Sequence, residues 1–241
     1  MLAPFGLAPI IWNGIMTFIV LIYIMSVIKF MDVLVSKGFP QDVSRKIVHI
    51  AAGSWIIFWP LFDPSDWTVY FNIAVAVLWT LLFIVKGLTA TPEDTAVKTM
   101  TRTGDPKELL YGPLMFTLVM EVCGTIFYMD FRGIAAMAVV GWGDGVAPLF
   151  GSRFGKHKYS ILGNEKSVEG SISVFLFSLI ALMGFSLVLV PNMVFADFNV
   201  FILKALIISS VATLIEAISP KNIDNILVPA SVILTIMFLP F

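Results

Sequence analysis

Long apolar runs recur along this chain, and they limit what it can fold into more than any other feature. A helix crosses a hydrocarbon core about 30 Å thick with roughly 17 to 25 apolar residues, and it satisfies its own backbone hydrogen bonds there. The composition agrees, because 59% of the 241 residues are hydrophobic and only 13% are charged, against about 25% in soluble domains. We predict an all-α, polytopic transmembrane helix bundle of about eight membrane helices. The predicted spans are residues 10–30, 47–62, 69–85, 112–129, 133–150, 171–190, 198–218 and 226–240.

The basic residues indicate which loops face the cytoplasm. Loops on one side of the predicted bundle hold 13 of the 15 Lys and Arg residues, whereas Arg132 lies on the other side and Lys204 lies inside a span. Because short cytoplasmic loops are enriched in Lys and Arg, we predict an integral membrane protein with both termini outside and its polar loops in the cytoplasm. The thirteen residues are Lys29, Lys37, Arg45, Lys46, Lys86, Lys98, Arg102, Lys107, Arg153, Lys156, Lys158, Lys166 and Lys221.

Net charge and cysteine content exclude some classes of protein. The formal net charge of −1 gives no overall attraction to nucleic acid, so no nucleic-acid partner is expected. The single cysteine cannot form an intrachain disulfide. We expect one integral membrane domain, residues 1–241, in the lipid bilayer, and a homodimer is one predicted assembly. Loops 86–111 and 151–170 exceed the usual length of helix connections and are expected to form the active-site face.

Asp144 is a carboxylate inside a predicted span. It lies between Gly143 and Gly145, and Pro148 follows, so the helix is expected to break there. A charged side chain in a membrane helix is costly and by default functional. We interpret Asp144 as a catalytic residue and a metal ligand, and the alternative is that it only pairs with a neighbouring helix.

A cationic turn follows the same span. Backbone amides of a turn that contains glycine can approach phosphates, and basic side chains add charge. The same Gly-x-x-x-Gly spacing also marks close helix packing in membranes, and the basic residues also satisfy the topology rule, so both interpretations stay open. The candidates for nucleotide and phosphate binding are Gly151, Arg153, Gly155, Lys156 and Lys158.

The next predicted span begins beside three further candidates. Its N-terminus would present free amides and the positive end of the helix dipole to the polar loops. Lys166 and Ser167 are predicted to bind the nucleotide phosphates. Glu169 is predicted to bind Mg²⁺, which prefers carboxylates together with phosphate oxygens. Ordinary N-capping by Ser167, with Glu169 facing the dipole, is the alternative.

Polar residues also end the seventh predicted span and begin the eighth. Glu216 and Asp224 are predicted to be catalytic, Asp224 to bind the metal as well, and Asn225 to bind the nucleotide. A polar turn in which Asp224 caps the last helix would account for the same residues without any function.

Two other cytoplasmic segments carry candidates that could orient the substrate. Each is also compatible with a solvated membrane flank, and a lone histidine is more often structural than catalytic. The candidates are Arg45, Lys46 and His49 in the first segment, and Arg102, Asp105 and Glu108 in the second.

Carboxylates, cations and a helix N-terminus on one face of an apolar bundle suit the transfer of a phosphoryl or nucleotidyl group to a lipid. Such a reaction needs Mg²⁺, cations on the phosphates and a carboxylate that positions the attacking hydroxyl. The lipid tail would enter from the bilayer, and the nucleotide triphosphate would arrive from the cytosol.

At these residues the sequence resembles the phytol, farnesol and dolichol kinases, the family of CTP-dependent polyprenol kinases. The resemblance covers residues 44–229 and keeps the order and spacing of the motifs. The matching strings are Ser44-Arg-Lys-x-x-His49, Gly143-Asp-Gly-x-Ala147, Gly151-x-Arg-Phe-Gly155, Lys158-Tyr159, Lys166-Ser-x-x-Gly-Ser171, and Glu216 through Asp224-Asn225 to Val228-Pro229.

The resemblance implies a membrane-embedded kinase that transfers a phosphoryl group from CTP to the hydroxyl of an isoprenoid alcohol of the phytol, geranylgeraniol or dolichol type. Phytol kinases often have Ala where Glu169 stands. Phosphatidate cytidylyltransferases share a related core, although Asn164-Glu-Lys-Ser167 stands where they usually have Ser-Pro-Lys-Lys-Thr. A cytidylyltransferase acting on phosphatidate or an archaeal ether lipid is therefore the alternative. A non-enzymatic transporter, with Glu121 and Lys204 lining its pathway, is the second alternative.

Overall fold

The computed structural model describes residues 6–161, 164–220 and 223–239. They belong to two compact units, Met1–Tyr128 and Met129–Phe241. Two residues used above lie outside the described residues: Lys221, one of the basic residues that predicted the sidedness, and Pro240, the predicted end of the last span.

All regular elements described in the first unit are helices. Several α-helices begin or end as 3₁₀-helices, so a predicted span can combine both kinds of turn. The elements are α1 (Pro9–Ser36), α2 (Gln41–Gly53) continued by a 3₁₀-helix (Ser54–Leu61), a 3₁₀-helix (Trp67–Ile73) that leads into α3 (Ala74–Thr89), α4 (Thr95–Met100), a 3₁₀-helix (Pro106–Leu110) and α5 (Gly112–Ile126).

One end of the first unit carries its basic residues. Thr99 of α4 donates a hydrogen bond to Asp32 near the end of α1, and Lys86 of α3 pairs with Asp94, the N-cap of α4. That hydrogen bond from Lys86 holds the pKa of Asp94 below its usual value. Short polar helices therefore join the ends of the long apolar ones.

At the opposite end of the first unit, hydrogen bonds of asparagine side chains join the helices. Neither lysine nor arginine takes part in these bonds. The buried side chain of Asn13 donates to the Asp63 carbonyl at 3.0 Å and to Thr68 Oγ1 at 2.9 Å, and Asn13 Oδ1 accepts from the Asp63 amide at 2.7 Å. Asn72 donates to the carbonyl of Gly124 at 3.0 Å. These bonds tie α1, α3 and α5 together without charge pairs.

The second unit combines long helices with a short β-hairpin. Its elements are α6 (Phe131–Ala138), a π-helix (Val139–Asp144) and α7 (Gly145–Phe154), which form one helix; β1 (Lys158–Ile161) and β2 (Asn164–Ser167), which pair antiparallel; and α8 (Val168–Leu189), α9 (Pro191–Ala196), α10 (Phe198–Ile218) and α11 (Asp224–Phe238).

The helix Phe131–Phe154 is the most enclosed of the long helices. Of its most apolar stretch, 78% is buried, against 39% for α8 and 28% for α10. Asp130 caps its N-terminus, and the hydrogen bonds from Arg132 lower the pKa of that carboxyl. The surrounding helices therefore bury the polar and small residues of this helix.

The expected break at Asp144 is absent. The helix continues through the site, but residues Val139–Asp144 adopt π-helical turns. Pro148 has no N–H to donate to the carbonyl four residues earlier, that of Asp144, and glycine on both sides of Asp144 allows the backbone to widen. The helix therefore changes locally to π-helical hydrogen bonding, and it does not break.

Among the described residues, six helices are long and apolar enough to cross a bilayer. They coincide with six of the eight predicted spans. The other two are a mixed helix, in which α2 becomes a 3₁₀-helix, and α11, which has 15 residues. An all-α bundle is confirmed, while the count of eight and the positions of the termini stay predictions. The helices are Pro9–Ser36, Trp67–Thr89, Pro106–Ile126, Phe131–Phe154, Val168–Leu189 and Phe198–Ile218.

Candidate active site

A seam of small residues joins the helix Phe131–Phe154 to α8. A Cβ placed on Gly143 would lie 2.2 Å from Ser178 Oγ, and one on Gly155 would lie 2.6 Å from Ser167 Oγ. A Cβ on Gly170 would lie 3.5 Å from the Cα of Gly151. These contacts make the two helices antiparallel and very close, which is the packing use of Gly-x-x-x-Gly. Gly151 and Gly155 thus serve packing, and their predicted phosphate binding stays a prediction.

Asp144 lies deep along this seam. It is 8% exposed and falls ten residues before the end of the helix at Phe154, so it lies about 15 Å from that end at 1.5 Å per residue. Three elements, α8, α10 and α11, pack around the π-helical segment that contains it. The carboxylate therefore lies inside the second unit, about 15 Å along the helix from its end.

The β-hairpin lies at the end of the seam where α8 begins, and it is bonded to the end of α10. Lys166 Nζ lies 2.7 Å from Glu216 Oε1, and it also donates to the Glu216 carbonyl. The two side chains are only 17% and 10% exposed. Asn164 donates to the carbonyl of Ser219 at 3.2 Å. We call these four residues the clasp, in which a cation neutralises a carboxylate and the negative end of a helix dipole.

Glu216 lies two residues from the end of α10, and Asp144 lies ten residues from the end of α7. Both open toward the same end, since the clasp lies where α8 begins and α7 ends. A ligand that used both would have to extend from the surface into the bundle.

Glu169 is bonded to the turn that precedes the hairpin. Its carboxylate accepts from the Lys156 amide at 3.1 Å, from the His157 amide at 3.3 Å and from His157 Nδ1 at 2.7 Å. Ser167 caps α8 through a 3.1 Å bond from the amide of Gly170. The amides of Lys156 and His157 therefore hold a carboxylate, and N-capping by Ser167 is present. The predicted phosphate binding by this segment stays a prediction.

The remaining cations of this segment are exposed. Lys158 pairs with Glu165 across the hairpin, with 65% and 63% of the two side chains exposed. The Arg153 guanidinium lies 5.7 Å from the centre of the Phe154 ring. Lys158, Arg153 and Lys156 are therefore all at the surface, beside the end of the seam at Gly155.

Asp224 and Asn225 begin α11 at the same end of the unit. Asp224 is half-buried and accepts from the amide of Asn225 at 2.9 Å, and Asn225 is 8% exposed. This bond is local, so it does not decide between a capping role and the predicted catalytic, metal and nucleotide roles. The roles of both residues stay predictions.

The other predicted site residues belong to the first unit. Lys46 is 4% exposed, so it is no solvated flank, and its neighbour Arg45 is half-buried. The ring of His49 lies 4.0 Å from that of Phe116, centre to centre.

The second segment of the first unit builds its own loop. Asp105 accepts from the amide of Lys107 at 2.9 Å, and Glu108 accepts from the amide of Arg102 and from Thr103 Oγ1. In the structure, therefore, the carboxylates of Asp105 and Glu108 stabilise the loop.

The donor set fits a magnesium ion held by one or two carboxylates and substrate phosphates, the usual arrangement for this ion. Among the described residues, no three His, Cys, Asp or Glu side chains form a group that could hold a metal alone. Asp144 and Asp224 are the carboxylates that could serve, whereas Glu169 is held by the turn.

Sequence reasoning missed Ser178 and the β-hairpin. Ser178 is one of four serines in the apolar helix α8 and belongs to no motif. The seam was visible in part, because Gly143, Ala147, Gly151 and Gly155 recur every four residues.

The sequence is similar to those of chloroplast kinases from plants. It is 32% identical to probable phytol kinase 1, chloroplastic, of Glycine max over 203 residues, which cover 82% of this chain and 67% of that protein. It is 33% identical to phytol kinase 1, chloroplastic, of Arabidopsis thaliana over 201 residues, or 80% and 65% of the two chains. Farnesol kinase, chloroplastic, of Arabidopsis thaliana is 32% identical over 194 residues, or 78% and 62%.

This chain spans about two thirds of the length of these relatives. No family model matches the sequence, and no solved structure matches the fold with significance. On the strength of these identities, the chain belongs to the polyprenol kinase family, a family of lipid kinases with an alcohol acceptor.

Proposed function

We propose that this protein is a membrane-embedded, CTP-dependent kinase that phosphorylates the hydroxyl of an isoprenoid alcohol of the phytol, geranylgeraniol or dolichol type. The observation that carries the proposal is the similarity to phytol and farnesol kinases over about four fifths of the chain. The geometry supports it, because a buried carboxylate and a cationic surface lie along one seam of the second unit.

The acceptor enters from the lipid side and meets Asp144. Its oxygen attacks the γ-phosphorus of the nucleotide, the bond from that phosphorus to the β,γ-bridging oxygen breaks, and CDP leaves with the electron pair. Asp144 positions the hydroxyl and takes its proton. The depth of Asp144 supports this role, since an alcohol on an apolar tail reaches the interior of the bilayer more easily than a charged group does.

The donor phosphates bind along the path from the surface to Asp144. Arg153, Lys156 and Lys158 attract the triphosphate from the cytosol, and Lys166 binds it nearer to the seam. At Lys166 the phosphates must compete with the carboxylate of Glu216, which already pairs with this amine at 2.7 Å. A phosphate carries more charge than a carboxylate, so it can displace one from a lysine.

Asp144 and Asp224 are the residues that would hold Mg²⁺. When bound, the ion would neutralise the charge that develops on the phosphate oxygens during transfer. Asp224 contributes from the start of α11, an element that packs on the π-helical segment.

The proposal includes the predicted topology: eight membrane crossings, both termini outside, and the hairpin end of the second unit in the cytoplasm. The single natural cysteine is buried, so cysteines introduced at exposed Ser152 and Ser65 can be labelled selectively. A reagent that cannot cross the membrane should label Ser65→Cys from outside and Ser152→Cys only after permeabilisation. Labelling of both from one side would refute the topology.

The function is tested with purified protein, Mg²⁺ and labelled CTP or ATP, against phytol, geranylgeraniol, dolichol, diacylglycerol and phosphatidate. We expect phosphorylated isoprenoid alcohol and CDP, with little turnover of diacylglycerol or phosphatidate. Pyrophosphate release with phosphatidate would instead identify a cytidylyltransferase. Omitting Mg²⁺ should abolish turnover.

A further inference from the structure

Ser178 is a buried hydroxyl in α8 that the reaction described so far does not use. It is 0% exposed, and its Oγ has no hydrogen-bond partner among the described residues. Ser173, one turn earlier in the same helix, instead donates back to the carbonyl of Glu169 at 2.8 Å. Burying an unsatisfied hydroxyl is costly, and Ser178 differs from the other unpartnered serines of these helices in what lies next to it.

The hydroxyl of Ser178 points at the helix that carries Asp144. A Cβ placed on Gly143, the residue just before Asp144, would lie 2.2 Å from Ser178 Oγ but 3.4 Å from Ser178 Cβ. The nearest atom of Ser178 to that backbone is therefore its oxygen. Glycine at this position admits the hydroxyl, because the side chain of any other residue would collide with it.

A second buried hydroxyl lies at the same depth. Ser209 of α10 is also 0% exposed, and its Oγ finds no partner in the described part of the chain. The helices α8 and α10 are antiparallel, since the hairpin before α8 is fastened to the end of α10. Ser178 lies ten residues into α8, and Ser209 lies nine residues before the end of α10. Both are thus about 15 Å from that end, the depth of Asp144.

The chemistry of this layer suits an alcohol. A hydroxyl both donates and accepts a hydrogen bond, so it pairs with another neutral hydroxyl without leaving a charge buried. Phosphates call for cations, and the cations of this segment lie at the surface, one or more turns away from Ser178. Ser178 and Ser209 therefore match the acceptor and not the donor.

We propose that Ser178 binds the hydroxyl of the acceptor lipid beside Asp144, with Ser209 lining the same layer. This inference rests on the proposed kinase function and assigns its acceptor subsite. Recognition is confined to the head of the lipid, because the surrounding faces of α8 and α10 are apolar. The subsite therefore selects a terminal alcohol and leaves the tail to the bilayer.

The test compares Ser178→Ala with Ser186→Ala in the purified full-length protein. Ser186 is a matched control, because it lies in the same helix, is 0% exposed and also has no partner for its Oγ among the described residues. It lies about 12 Å further along α8. For Ser178→Ala we expect kcat/KM for the alcohol to fall about tenfold, with an unchanged nucleotide KM and an unchanged melting temperature. Ser186→Ala should behave as the unaltered protein.

A saturated hydrocarbon that lacks the hydroxyl can be tested as an inhibitor. Its inhibition constant distinguishes recognition of the lipid hydroxyl from packing of the lipid tail. Its inhibition constant should be the same in Ser178→Ala and in the unaltered protein. Equal losses for the alcohol and the hydrocarbon, an alcohol kcat/KM equal to that of Ser186→Ala, or a nucleotide KM that rises in parallel would each overturn the assignment. The unaltered protein is assayed first: if it phosphorylates no alcohol, the proposed function fails, and the assignment fails with it.

Discussion

Two polar regions of the second unit can be compared, the clasp at its end and the layer around Asp144 in its interior. In the clasp, Lys166 and Glu216 neutralise each other, and Asn164 satisfies the carbonyl of Ser219. In the deep layer, a carboxylate is buried beside glycine backbone and two hydroxyls that have no partner among the described residues. The polar groups of the first region bond to one another, whereas the two hydroxyls of the second do not.

This difference indicates where the chemistry is. An ion pair at a helix end stabilises that end, so its presence does not require a function in catalysis. Polar groups in the interior of a membrane protein are costly and are usually retained for function. The enclosing helix supports the same conclusion, because it has the lowest mean hydropathy of the six long helices and the greatest burial. We therefore expect the deep layer to control turnover and the clasp to control stability and donor binding.

The largest effect is expected for Asp144→Asn, which keeps the size of the side chain and removes its charge. Turnover should fall by at least about 100-fold, because the variant can neither take the proton of the acceptor nor bind the metal as a carboxylate. The melting temperature in detergent should stay close to that of the unaltered protein, since the side chain keeps its size and a polar oxygen. Glu165→Gln, an exposed change in the hairpin, is the control. Near-normal turnover of the Asn variant would place the chemistry outside the deep layer.

Lys166→Met should produce the next largest effect, and it separates the two uses of the clasp. Loss of the amine leaves Glu216 without this cation in a site that is mostly buried, which should cost about 2 kcal/mol of unfolding free energy. The nucleotide KM should rise about tenfold, while the acceptor KM should stay constant.

The double variant Lys166→Met with Glu216→Leu tests that separation. It removes both charges, so stability should recover in part. A nucleotide KM that stays high despite the recovered stability would assign Lys166 to the donor site. A KM that recovers together with stability would make the clasp purely structural.

The sequence predicted the elements that depend on local pattern and missed those that depend on distant contacts. Run length placed six long helices, and the charge of Asp144 in a span marked the deep layer. The pairing of Lys166 with Glu216 joins residues 50 positions apart, so no spacing could show it. The strands of the hairpin have four residues each and mixed polarity, which is too short for a period-two pattern to be recognised. The π-helical turns depend on packing against α8 as well as on glycine and proline.

Gly155→Ala should have a smaller effect, on stability. The added Cβ would lie 2.3 Å from the Gly151 carbonyl oxygen and 2.9 Å from Ser167 Cβ, atoms that cannot move without shifting the seam. We expect a loss of about 1–2 kcal/mol, seen as a lower melting temperature. Gly184→Ala in α8 is the matched control: its Cβ would meet nothing within 4 Å, so it should be neutral or slightly stabilising. Equal melting temperatures for the two variants would show that the seam is not tightly packed.

Glu169→Ala should have the smallest effect, and it decides whether this carboxylate belongs with the turn or with the metal. As a group that caps the Lys156 and His157 amides, Glu169 should contribute about 0.5–1 kcal/mol to stability. Turnover should stay within about twofold, and the Mg²⁺ concentration for half-maximal activity should be unchanged. Glu165→Ala removes an exposed carboxylate from the same hairpin and controls for the loss of surface charge. If only Glu169→Ala raises the Mg²⁺ requirement, the carboxylate leaves the turn during catalysis and joins Asp144 as a metal ligand.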